Sequence, residues 1–296
     1  MKMNSVCCII VTYNIGNEFY KCFNAIKDQV EEVVIVDNGS DKKTVDVLNK
    51  IKTDKEGFVI FNNDNMGIAY ALNQGVDYAL TSGYKWILTM DNDSIATKNM
   101  IDGMLNSYDK LDDMSKKDTV SIFPVYVERA YTEDESIESN KYCDEYEYVL
   151  SEITSGNIIR ADVFNIIGKF EEKFFIDYVD HEFCLRIASK GYKAIRGKQC
   201  FLLHQLGNSE KRVIMGKEIL YTNHSALRRY YTARNSMYVW KKYIRKFPKF
   251  VVRDILFFIK KNLLILLFEK HKLDKFRMTF KGIVDFMINK FGKINI

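Results

Sequence analysis

Several features that would assign this 296-residue sequence to familiar classes are missing from it. Its six cysteines (Cys7, Cys8, Cys22, Cys143, Cys184 and Cys200) include no C-x-x-C pair, which argues against a structural zinc site. Cys7, Cys184 and Cys200 lie in apolar contexts and read as reduced core thiols. After the first apolar run the chain reads VTYNIGN rather than G-x-G-x-x-G, and G-x-x-x-x-G-K-[ST] does not occur. A dinucleotide-dependent dehydrogenase and a P-loop nucleotidase are therefore excluded. A sugar nucleotidyltransferase is disfavoured because no glycine-rich loop with a basic residue follows strand one. No N-terminal stretch joins basic residues to a short apolar run and a small-residue cleavage site, so a cytoplasmic chain is expected. The apolar stretch 255–268 is interrupted by Lys260-Lys261-Asn262, which leaves it too short and too charged to span a bilayer.

What is present describes a globular protein. A hydrophobic content of 47% over this length supports one large core, or one core with an appendage. The net charge of +5 is unevenly placed: residues 227–296 hold 18 Lys/Arg against 4 Asp/Glu, a net +14, which leaves −9 on residues 1–226. An acidic front suits a site that gathers a divalent cation. A basic tail suits an anionic phospholipid surface or lipid diphosphate, or is simply a solvated basic face.

Apolar, β-branched runs start near Val6 (VCCIIV), Val33 (VVIV), Phe58 (FVIF) and Trp86 (WILTM), about every 27 residues. A stretch of helical periodicity follows each, as in residues 67–83 (GIAYALNQGVDYALTSG). This rhythm predicts an α/β fold: a Rossmann-like, mostly parallel sheet flanked by helices, with a ligand crevice at the carboxyl ends of its strands. Residues 125–149 are acidic and poorly periodic and read as a surface excursion. Beyond them we expect a short strand over 174–177, a helix over 180–190 ended by Gly191, and closing strands over 193–195 and 201–203. Past Gly207 long helices rich in Tyr, Trp, Lys and Arg are expected. The helix containing residues 255–268 would lie on a membrane surface, or pack on the domain or a second subunit.

Polar residues cluster just after the apolar runs. Asp91-Asn92-Asp93 puts two carboxylates one residue apart at a strand end, an arrangement that a hard Mg²⁺ or Mn²⁺ bridging to diphosphate oxygens would neutralise; alternatively Asp93 and Ser94 cap a following helix. Asp37 is placed to accept a hydrogen bond from a nucleobase or ribose, although Asn38-Gly39-Ser40 is also an ordinary turn. Asn65, Met66 and Gly67 precede a helix whose small residues Ala69, Ala71 and Gly75 permit close approach, either of a ligand or of a packed neighbour. Asp180 opens a helix, where the dipole favours the ionised form a general base requires, unless it merely caps that helix. Ser155-Gly156-Asn157 is an acceptor or donor contact, or a bare turn.

The segments VTYN (11–14), VDNGS (36–40), NDNMGIAYALNQG (63–75), WILTMDNDS (86–94), FFIDYVDHEFCLR (174–186) and LLHQLG (202–207) occur in this order. Together they resemble family 2 glycosyltransferases with the GT-A fold, and within these the bacterial rhamnosyltransferase branch that builds O-antigens and capsules. The resemblance covers about residues 5–240. It implies an inverting, metal-dependent glycosyltransferase with a nucleotide-sugar site at Thr12, Asn14, Asp37, Asn65, Gly67, Asp91 and Asn92. It also implies a metal held by Asp93 with Asp91 and His204, and Asp180 as base. Val179 stands where the commoner base motif has a first acid, which leaves Asp177 as a second candidate base. Arg228, Arg229, Tyr230, Tyr231, Arg234 and Asn235 resemble the branch's RxYYxxRN segment, in which Arg228 and Arg234 would grip a diphosphate or acceptor phosphate. On a plainer reading Tyr230, Tyr231, Tyr238 and Trp240 glue the tail helix down.

The implied organisation is a catalytic domain over 1–226, with a nucleotide half of about 1–125 and an acceptor half of about 150–226, and a basic helical extension over 227–296. Implied partners are a nucleotide-diphosphate sugar, with dTDP-L-rhamnose ahead of UDP-hexoses and UDP-galactofuranose, and a glycan or lipid-linked acceptor. An anionic membrane surface on the inner face of the plasma membrane and a second copy of the chain are further candidates; no nucleic acid is implied. The rival class is a catalytically silent module that binds nucleotide sugar or membrane and scaffolds a glycan-assembly complex.

Overall fold

The first apolar run forms β1 (Val6–Thr12), with Val6 to Ile10 all buried, as a strand covered on both faces requires. It leads into α1 (Phe19–Ile26), whose buried Phe19, Cys22, Phe23 and Ile26 follow the i, i+3, i+4, i+7 spacing of one helical stripe. The alternation continues with β2 (Glu32–Asp37), α2 (Lys42–Thr53), β3 (Phe58–Phe61), α3 (Ile68–Thr81), β4 (Trp86–Asp91), β5 (Ile95–Ala96) and α4 (Met100–Asp109). Then come α5 (Asp113–Asp118), β6 (Thr119–Glu128), β7 (Tyr146–Val149), β8 (Asn157–Arg160), α6 (Val163–Ile167), α7 (Val179–Ser189) and β9 (Lys193–His204). The computed structural model describes residues 5–128, 145–204, 209–214 and 217–294.

The main sheet has the order β3-β2-β1-β4-β8-β6-β9-β5, and β7 also pairs with β9. The longer ladders, β1 with β2 and β4 and β6 with β9, are parallel; the short ladders of β5, β7 and β8 are antiparallel. This is the expected mostly parallel α/β sheet flanked by helices. Gly75 and its small neighbours serve packing: a Cβ on Gly75 would sit 2.4 Å from Ile9 Cγ2, and Ala69 and Ala71 are wholly buried. Cys7, Cys8, Cys22, Cys184 and Cys200 are buried free thiols; Cys143 lies outside the described residues.

Several expectations are corrected. Residues 174–177 are not a strand, because Asp177 (φ 65°) and Tyr178 (φ 66°) turn the backbone into the left-handed region. The two closing strands are one, β9, whose ladder with β6 is interrupted at Phe123/Val125, where Pro124 has no N–H to donate. The ends of the acidic stretch 125–149 belong to β6 and β7; its middle, 129–144, lies outside the described residues.

Two compact units result, one of residues 1–172 and 179–205 carrying the main sheet, the other of 173–178 and 206–296. The expected division at 226/227 falls at the first residue of α8 (Ala226–Tyr243). Helices were expected directly past Gly207, but the second unit first holds the antiparallel hairpin β10 (Ser209–Ile214) and β11 (Lys217–Thr222), and only then α8, α9 (Pro248–Phe268) and α10 (Lys272–Met287). Buried Glu269 ties it together by accepting from Arg229 Nη2 at 2.7 Å and Lys275 Nζ at 2.8 Å. Among the described residues no helix is long and apolar enough to cross a membrane.

Candidate active site

The parallel register aligns Thr12 with Asp37 and sets Asp91 beside Val11, so three polar residues end adjacent strands at one rim of the sheet. Thr12 Oγ1 donates to Asp37 Oδ1 at 3.1 Å, and Asp37 Oδ2 accepts from the Ser40 amide at 3.0 Å. Both residues are essentially buried and brace the two strand ends. Asn14, at φ 52°, accepts from the Asp41 amide and donates its own amide to Ser40 Oγ, which stitches the β1 loop to the β2 loop.

Asn38 does the same for the next loop. Its Nδ2 donates to Asn65 Oδ1 at 3.1 Å and its Oδ1 accepts from the Met66 amide at 3.0 Å, while Asn65 Oδ1 also accepts from the Gly67 amide. Gly39, at φ +78°, is required where it stands: a Cβ there would lie 2.6 Å from the Asp64 carbonyl carbon. The expected nucleotide residues Thr12, Asn14, Asp37, Asn65 and Gly67 thus share one hydrogen-bonded rim.

At the end of β4, half-buried Asp91 and exposed Asp93 flank Asn92, and His204 ends β9. One donor atom from each of Asp91, Asp93 and His204 can be chosen so that all lie within 4.8 Å of one another. What joins segments so distant is the two-residue strand β5, which pairs Ile95 with Leu203. Two carboxylates and an imidazole are a donor set that suits a hard to borderline divalent ion such as Mg²⁺ or Mn²⁺.

A serine relay links two of the three donors, Asp91 and His204. Ser155 Oγ accepts from the Asp91 amide at 3.0 Å and donates to Ser94 Oγ at 2.8 Å, and Ser94 Oγ lies 2.9 Å from His204 Nδ1. Coordination through Nε2 needs the Nδ1–H tautomer, which Ser94 Oγ is placed to accept. Burial lowers the His204 pKa against the opposing pull of Asp93 and Glu128, which favours the neutral, ligating form.

Ser94 is not the cap of a following helix, since β5 follows it. Ser155 belongs to this relay. Gly156 and Asn157 are structural: a Cβ on Gly156 would meet Pro124 Cγ at 2.8 Å, and buried Asn157 Oδ1 accepts from Ser121 Oγ at 2.6 Å. Asp180 lies in the first turn of α7, half-buried, with Oδ1 accepting from the His181 amide at 2.8 Å; His181 Nδ1 is 2.7 Å from Ser151 Oγ.

In the second unit Asp177 is engaged by Arg228 Nη2 at 3.0 Å and by Thr232 Oγ1 at 2.7 Å. Arg228 remains exposed, but Arg234, expected to grip a phosphate, is fully buried. Its guanidinium donates to the Gly292 and Lys173 carbonyls and stacks near Tyr230, Tyr231 and Phe291 at 5.1–5.3 Å. Asn235 Nδ2 donates to the carbonyls of Ile176 and Asp177 at 2.9 Å. The RRYYTARN segment therefore clamps residues 173–178, and only its first arginine is open to a ligand.

Comparison with known proteins agrees with this architecture. The chain is 28% identical to the dTDP-rhamnosyl transferase RfbF of Shigella flexneri, over 96% of each chain. A crystal structure of GalNAc-T7 with UDP, GalNAc and Mn²⁺ superposes with a TM-score of 0.54 at 14% identity, over 72% of this chain. The chain spans less than half (44%) of that protein's length, and the likeness concerns the fold. The family model described as glycosyl transferase family 2 matches residues 7–167, the sheet that carries the braced rim and the Asp91–Asp93 turn. With more than half of its length matched, and with a rhamnosyltransferase similar to it from end to end, this chain is a glycosyltransferase and belongs to glycosyl transferase family 2.

Proposed function

We propose that the protein transfers L-rhamnose, with inversion, from dTDP-L-rhamnose to a glycan or lipid-linked acceptor of O-antigen or capsule type in the cytoplasm. The observation that carries this reading is the convergence of Asp91, Asp93 and His204 at the strand-end rim, in a chain similar along its whole length to a dTDP-rhamnosyl transferase. The nucleotide is taken by the rim of Thr12, Asn14, Asp37, Asn65 and Gly67, with Asp91 and Asn92 at its diphosphate end. On this reading the nucleotide half is about 1–125, the acceptor half about 150–226, and 227–296 an extension.

Asp91, Asp93 and His204 would hold Mg²⁺ or Mn²⁺, which when bound neutralises charge on the diphosphate. Asp180 accepts the proton of the acceptor hydroxyl. The hydroxyl oxygen bonds to the anomeric carbon as the bond from that carbon to the diphosphate oxygen breaks, and its electron pair leaves with dTDP. Asp180 is favoured over Asp177 because Asp177 is already paired with Arg228 and Thr232. Its place in the first turn of α7 favours the carboxylate.

The test is a panel of nucleotide sugars assayed for release of nucleoside diphosphate, with and without Mg²⁺ or Mn²⁺, on the native chain and Asp180→Asn. We expect dTDP-L-rhamnose to be used, chelation to abolish turnover, and Asp180→Asn to keep donor affinity while kcat falls by about 10²-fold or more. Full activity in excess chelator would overturn the metal assignment, and a near-normal Asp180→Asn rate would move the base elsewhere. Preference for a UDP-hexose or UDP-galactofuranose would redirect the donor. Binding without release by the native chain would favour a silent scaffold.

A further inference from the structure

Helix α9 presents two unlike faces within its unit. The inner face is engaged: Val251 and Ile265 are buried, the Phe258 ring meets Trp240 edge-on at 5.4 Å, and Asp254 Oδ2 accepts from Tyr178 Oη and Trp240 Nε1. The outer face is apolar yet exposed. Val252, Leu256, Ile259, Leu263 and Leu266 are 50–61% exposed, and their spacing of four, three, four and three residues places them on one stripe. At 1.5 Å per residue that stripe is about 21 Å long. A helix facing water normally turns its polar side outward, so this one is matched to something apolar.

Charge decides what that is. At about 100° per residue, Lys249, Arg253 and Lys260, all exposed, fall along one border of the stripe. Asp254 is the sole acid in the α9 sequence, and its carboxylate is held inward. A second copy of the chain would bring the same stripe with the same cations and no α9 carboxylate to answer them. An anionic lipid surface answers both halves, with acyl chains for the leucines and phosphates for the cations.

We propose that the outer face of α9 lies in the interfacial layer of an anionic membrane, parallel to its plane. The helix does not cross the bilayer. This surface is separate from the transfer reaction and does not depend on which sugar is moved.

The full chain is mixed, without substrate, with vesicles of phosphatidylcholine alone or with about 30 mol% phosphatidylglycerol, and the bound fraction is read by flotation. Binding to the anionic vesicles is expected, weakening about tenfold or more in Leu256→Gln/Leu263→Gln and in Arg253→Gln/Lys260→Gln, and weakening with added salt. The replaced side chains are exposed, so an unchanged thermal transition is expected for both variants and is checked. A native chain that stays unbound, or a leucine variant that binds as well as the native chain, would overturn the proposal. Equal binding to pure phosphatidylcholine would remove the anionic surface. A native dimer made monomeric by the leucine variant, with no vesicle binding by either, would assign the face to a second copy.

Discussion

Ser94 and Ser155 show how much of a site can depend on side chains without a motif of their own. Each is fully buried, and together they connect the Asp91 amide to the His204 ring. Removing the Ser94 hydroxyl leaves all three carboxylate and imidazole donors in place but frees the imidazole to rotate. Ser94→Ala is therefore expected to weaken Mn²⁺ binding about tenfold with little change in fold, measured by titration calorimetry; unchanged affinity would remove the relay's role. In the sequence Ser94 looked like a helix cap, because nothing local announces that β9 arrives beside it. The carboxylates were legible from their place after an apolar run. His204 was legible only through resemblance, and the burial of Arg234 was not legible, because an arginine beside tyrosines reads equally well as a phosphate grip or as a buried cation.

Strands and helices were easiest to read where each carries its own period. β1 to β4 and the helices between them follow from apolar runs and amphipathic spacing; β1, β2 and β4 are buried along nearly their whole length, while the edge strand β3 leaves Phe58 and Phe61 exposed. The second half of the sheet was harder, because short antiparallel ladders and an interrupted β9 ladder carry little periodicity. Residues 174–177 look like a strand but are held in a left-handed turn by Asn235 and Arg234, contacts made across about sixty residues of sequence. The approach to β8 is a tight junction of the same kind, where the Gly156 amide donates to the Thr89 carbonyl at φ +79° against Pro124. Gly156→Ala adds both an unfavourable φ and an overlap, so a loss of about 2 kcal/mol or more is expected in urea unfolding. A loss below about half that would mean β6 yields easily there.

At the scale of the whole chain, the charge asymmetry of −9 before residue 227 and +14 after it has local expression. In the second unit, burial and the Arg228 and Arg229 guanidiniums push the His224 imidazole down to about 4. An unfolded histidine titrates near 6.5, so the unfolded chain takes up the proton first. The stability this depressed pKa supplies is present above that value and lost as pH falls towards 4. Relative to His224→Gln, the native chain should lose stability over this window and hold a constant difference above about pH 7. Parallel urea midpoints across the window would refute the shift.

The sheet order has one more consequence. The Asp91–Asp93 turn is made early in the chain, yet its imidazole companion comes 111 residues after Asp93 and reaches it only when β5 and β9 have zipped together. A nascent polypeptide interrupted before β9 owns two acids but not the third donor. Competence to gather all three therefore appears late in synthesis, and loss of that competence would be an early sign that the sheet's far edge has come undone.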